Sequence, residues 1–63
     1  MPIVRIELSA GRSREQKLNV AEEVTRSMIE HCGCKPETIH VIFSDVDTGD
    51  WAVAGKLLDH PAA

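Results

Sequence analysis

Apolar and polar residues alternate from Pro2 to Leu8, with Pro2, Val4, Ile6 and Leu8 on one side and Ile3, Arg5 and Glu7 on the other. That is the period of a β-strand. Proline is tolerated at a strand's first position, where its missing N–H removes no ladder bond. Ser9-Ala10-Gly11 ends the alternation. At about 100° per residue, Leu18, Ala21, Val24, Thr25, Met28, Ile29 and Cys32 then share one arc, and Asn19, Glu22, Glu23, Arg26, Ser27 and Glu30 share the opposite one. This is the pattern of an amphipathic helix. Ser13, followed by Gln16, has the form of a capping box and sets the helix start. Gly33 supplies a left-handed stop, and Pro36 keeps residues 34–37 in a turn.

Residues 38–44 alternate again, Ile39, Val41 and Phe43 one way and His40, Ile42 and Ser44 the other. Strand, helix and strand in this order predict an α/β unit of β-α-β type, with a right-handed crossover, parallel strands and the helix over one face. A polar loop is expected over 45–50 and a short strand or hairpin over 51–55. The tail, 56–63, has only Leu57 and Leu58 to anchor it and reads as an arm that gains order on a neighbouring subunit. The whole chain, 1–63, reads as one domain. A chain of 63 residues hides only about 60% of its unfolded surface. Here two strands carry apolar residues on both faces, and one helix covers only one of them. Cys32 and Cys34 are the only cysteines, and their spacing makes a mutual disulfide awkward. Assembly with like chains remains as the means of completing a core.

Charge and composition narrow the function. With 43% hydrophobic and 27% charged residues, the chain has enough apolar surface to fold. A net charge of -3 argues against broad electrostatic binding to nucleic acid or acidic lipid. No apolar run approaches the roughly 18 residues of a membrane span, and the start lacks the pattern of a signal peptide. The expected location is the reducing cytoplasm.

The candidate chemistry begins at the amino terminus. Pro2 follows Met1 directly, and removal of the methionine would leave a secondary amine. A free α-amine titrates near 7.7–8.0, and desolvation or a nearby cation lowers that value by disfavouring the ammonium form. Arg12 immediately precedes the helix cap, where a guanidinium can clamp a carboxylate through paired hydrogen bonds. Read from position alone, Pro2 is first a strand start and Arg12 first a loop arginine. His31, Cys32 and Cys34 are too few for a zinc site. Asp45, Asp47 and Gly49 begin like a calcium loop, but the twelfth position is Lys56, not glutamate. No metal or organic cofactor is expected. Trp51 is either a pocket wall or an interface anchor.

Taken together, Pro2-Ile3, Ala10-Gly11-Arg12-Ser13, Glu15-Gln16-Lys17, Gly33 through Pro36, His40-Val41-Ile42, Gly49-Asp50-Trp51 and Ala54-Gly55 resemble the small 4-oxalocrotonate tautomerase family over nearly the whole length. The resemblance implies a homo-oligomer, commonly a hexamer, in which a four-stranded sheet forms across each dimer. It also implies a small carboxylate substrate, a 2-hydroxydienoate or enol-pyruvate acid. Pro2 matches the general base, Arg12 the arginine that holds the substrate carboxylate, and Trp51 an aromatic wall that is usually phenylalanine. Ile3 and Ile39 would line the pocket and keep water from the amine. At His40 the family ordinarily carries a second arginine from a neighbouring subunit. Histidine can donate to a developing oxyanion, but it is shorter and is not a permanent cation. That departure raises an alternative, a non-catalytic or regulatory oligomer retaining the scaffold.

Overall fold

The computed structural model describes residues 1–59. Strand β1 spans Ile3–Ser9, helix α1 spans Arg14–Cys32 and strand β2 spans His40–Val46. β1 and β2 pair in parallel, in a register that runs from Ile3 opposite His40 to Ser9 opposite Val46. A second, separate ribbon pairs β3, Ala52–Val53, antiparallel with β4, Lys56–Leu57. The architecture is the expected β-α-β unit followed by a short hairpin.

The capping box forms as the sequence predicts. The Ser13 hydroxyl accepts from the Gln16 N–H at 3.1 Å, and the Ser13 N–H donates to the Gln16 side chain at 2.8 Å. Two amides that no intrahelical carbonyl can reach are thereby satisfied. At the other end Gly33 takes φ 65°, and its N–H donates to the Ile29 carbonyl at 3.1 Å. Only a residue without a Cβ adopts that conformation at no steric cost.

Both strands lie further along the chain than their alternation suggests. Pro2 stands just before β1, which continues through Ser9. β2 begins at His40, two residues later than expected, because Pro36–Thr38 closes a 3₁₀ turn in which the Thr38 hydroxyl and N–H both donate to the Lys35 carbonyl. β2 then absorbs Asp45 and Val46 from the expected loop. The polar Asp45 is tolerated there because it meets Lys17 of α1, Nζ to Oδ2, at 2.7 Å. The rest of the loop is a 3₁₀ turn, Thr48–Asp50, capped by the Asp47 side chain, which accepts from the Gly49 N–H at 3.0 Å. The expected free arm is also revised at its start, since Lys56 and Leu57 pair with β3. Residues 60–63 of that arm lie outside the described residues.

Val4, Ile6, Val41 and Phe43 are half-buried, whereas Ile3, Arg5, His40 and Ile42 on the opposite face are exposed. The helix meets the sheet through a narrower stripe than its apolar arc, with Lys17, Ala21, Val24, Thr25 and Met28 half-buried. Leu18, Ile29 and Cys32, expected on the buried side, are exposed in the single chain. Among the described residues none is fully buried. The radius of gyration is 15.3 Å, against about 11 Å for a compact domain of this length. The longest dimension is 49 Å. A strand pair and helix of this size, with a separate ribbon, have no enclosed core of their own.

Candidate active site

Pro2 is held at the start of the parallel ladder. Its carbonyl accepts from the His40 N–H at 3.0 Å, and its side chain is half-buried. A proline suits this place because the ladder asks it for an acceptor and not for a donor. The same register sets Pro2 beside Ile39, also half-buried, and Ile3 beside His40. Four of the expected site residues, Pro2, Ile3, Ile39 and His40, therefore meet at one end of the sheet. They divide between its faces: Ile39 lies on the helix side by alternation, and Ile3 and His40 lie on the open side. Met1 is 83% exposed, so the group joined to the Pro2 nitrogen packs against almost nothing.

Arg12 and Trp51 lie at the opposite end. Gly11, at φ 118°, turns the chain out of β1, and Arg12 follows it, exposed, before the Ser13 cap. Arg12 borders a small apolar cleft of about 150 Å³ between sheet and helix, with Ile6, Leu8, Gln16, Val20 and Phe43. It has no carboxylate partner among the described residues, so its guanidinium is available to an anion. Trp51 is half-buried in an open depression of about 400 Å³ with Glu7, Val46, Asp50 and Ala52. The seven residues of β1 extend about 23 Å at 3.3 Å each. A single chain consequently does not bring Pro2 together with Arg12 or Trp51.

Two further cations, Arg14 and Lys17, lie close to Arg12. Lys17 lines the Arg12 cleft and also a neighbouring one with Arg14, Leu18, Ala21 and Phe43. The acidic loop residues have structural partners instead: Asp45 pairs with Lys17, and Asp47 caps its turn.

The structure is thus a small β-α-β unit with a half-buried proline at position 2 at one end of the sheet and, at the other, an arginine without a carboxylate partner among the described residues. The model of the family described as Tautomerase enzyme matches residues 2–60. A "Probable tautomerase" of Ralstonia nicotianae is 44% identical over 57 residues, covering 90% of this chain and 88% of that one. The "2-hydroxymuconate tautomerase" of Comamonas testosteroni is 40% identical over 55 residues, covering 87% of each. A solved 4-oxalocrotonate tautomerase isozyme from Methylibium petroleiphilum superposes with a TM-score of 0.85 at 37% identity, covering 90% of this chain and 92% of the other. The chain belongs to the tautomerase family. It is an enzyme of that class, an isomerase acting on small acids, and nothing favours the non-catalytic alternative that His40 raised.

Proposed function

We propose that removal of Met1 frees the Pro2 nitrogen to act as the general base in the tautomerisation of a 2-hydroxydienoate or enol-pyruvate acid. The neutral secondary amine takes the enol proton, the oxygen's electrons form the carbonyl, and the displaced double bond shifts along the carbon chain. The resulting ammonium returns the proton to the distal carbon, so the base is restored and no redox partner is consumed. Arg12 binds the substrate carboxylate. His40, on the open face at the Pro2 end, donates to the oxygen that becomes anionic. Ile3 and Ile39 limit water around the amine and favour its neutral form, and Trp51 forms an aromatic wall.

The observation that carries this reading is the position of Pro2, half-buried beside Ile39 and pinned through its carbonyl to His40. The length of β1 adds a requirement: the Arg12 and Trp51 that complete a site come from other subunits. We infer a homo-oligomer, of hexameric type, in which β1–β2 pairs from two chains join as a four-stranded sheet. The domain takes in the full chain and acts in the cytoplasm. Among the described residues no helix is long and apolar enough to cross a membrane.

The test compares methionine-free protein with protein that retains Met1, each confirmed by intact mass, on the enol of phenylpyruvate. Methionine-free protein is expected to turn the enol over, with a rate that rises as pH passes through the amine's pKa, because only the neutral form accepts a proton. Protein retaining Met1 has an amide nitrogen there and is expected to be inactive. Equal activity of the two forms, or a methionine-free oligomer silent across the pH series, rejects Pro2 as the base.

A further inference from the structure

Cys32 is the last residue of α1 and Cys34 stands just past the left-handed Gly33. Within a continuous helix, residues two apart point about 200° away from each other, and their thiols do not meet. Gly33 changes that relation. Its dihedrals, φ 65° and ψ 21°, are helical in size but of opposite hand, so the flanking Cα atoms stand about 5.5 Å apart while the chain reverses. That separation lies inside the range of roughly 4.4–6.8 Å found across disulfides.

The Cys34 thiol shows the reversal directly, since its Sγ lies 4.0 Å from the Cys32 carbonyl oxygen. Cys34 is thus folded back over the peptide that carries Cys32. Cys32 is exposed, Cys34 is half-buried and both are free thiols. The turn is held independently of either side chain by the bond from the Gly33 N–H to the Ile29 carbonyl.

We propose that Cys32 and Cys34 form a dithiol that small disulfides oxidise to an intrachain disulfide. The exposed Cys32 thiolate attacks one sulfur of oxidised glutathione, forming a mixed disulfide and releasing one glutathione thiolate. Cys34 thiolate then attacks the Cys32 sulfur and releases the second. Two cysteine thiols are oxidised, one glutathione disulfide is reduced to two glutathione molecules, and the two protons go to the released thiolates. Because the ring spans a single intervening residue, it closes quickly and is also strained, so it reopens readily in excess thiol.

The assembled protein is incubated in a series of oxidised-to-reduced glutathione ratios, quenched with acid, alkylated and weighed intact without reductant. The expected product is a single chain lighter than the reduced form by two hydrogen atoms, carrying no alkyl group and reverting with excess dithiothreitol. Cys34→Ser lacks the resolving thiol and is expected to accumulate one glutathione on Cys32. The proposal is overturned if the native chain stops at glutathione adducts, links to a second chain, or keeps two alkylatable thiols across the series. It is equally overturned if Cys34→Ser takes up no glutathione.

Discussion

Arg12 is exposed, has no carboxylate partner among the described residues and is separated from its own Pro2 by the length of β1. The proposed contact of its guanidinium with a substrate carboxylate would exist in ground state and transition state alike, so its loss would fall mainly on KM. Arg12→Ala is expected to lower kcat/KM by about 2 kcal/mol, roughly thirtyfold, the lower end for a charged contact that keeps some water. Steady-state kinetics on confirmed methionine-free oligomer checks this, and an unchanged KM removes Arg12 from the site. At His40 the opposite substitution is informative. His40→Arg adds a longer, permanent, forked cation, and should improve turnover of a dicarboxylated dienol more than that of a monocarboxylated enol, which offers it no second charge. Equal gains on both acids would show that position 40 does not meet the substrate. These residues were singled out in the chain because proline next to the initiator and arginine before a cap match the family pattern, not because their positions alone favour a site. Their separation was not legible, since it depends on the strand register and on which chain supplies each group.

At the scale of elements, α1 was the most legible part because both of its ends carry their own instructions. Ser13→Ala removes an acceptor for the Gln16 N–H and is expected to destabilise the protein by about 1 kcal/mol, read as a lower denaturation midpoint at fixed protein concentration. The strands were legible in existence but displaced in their bounds, because Pro36–Thr38 tightens into a 3₁₀ turn and because Lys17 supports Asp45 inside β2. Neither effect leaves a trace in period-two alternation. The hairpin turn is the least conventional local piece. Ala54 and Gly55 have φ of 54° and 79°, positive at both central positions as a type I′ turn requires. Glycine accepts that geometry, whereas alanine there bears a steric cost of about 1–2 kcal/mol. Ala54→Asn supplies the residue type that such turns favour and should recover about 1 kcal/mol. A denaturation midpoint that falls in this variant would mean that Ala54 is held by contacts with another chain and not by the turn alone.

For the molecule as a whole, the question is what covers the apolar surface that one chain leaves open. Ile3 and Ile42 on the open sheet face are 53% and 37% exposed, Leu18 on the helix margin is 53% exposed, and Val53 and Leu57 of the hairpin are 59% and 47% exposed. These residues lie on five elements that form three surfaces, so a single additional contact does not cover them all. The open sheet face, the helix margin and the ribbon each call for a neighbour, as expected for a repeating assembly of like chains. Folding and assembly should then be one process, with stability set by protomer concentration. Helical circular dichroism and sedimentation, followed together through a dilution series, are expected to lose the helix signal and the large species over the same concentration range. Ile42→Lys places a charge on the open sheet face while leaving the helix-side face of β2 unchanged. It should shift that common midpoint to higher concentration by well over tenfold, given the roughly 1.5–3 kcal/mol at stake in burying one isoleucine. A helical monomer persisting at micromolar concentration, in the native chain or in this variant, would show that the β-α-β unit stands alone and that its open faces are not what assembly covers.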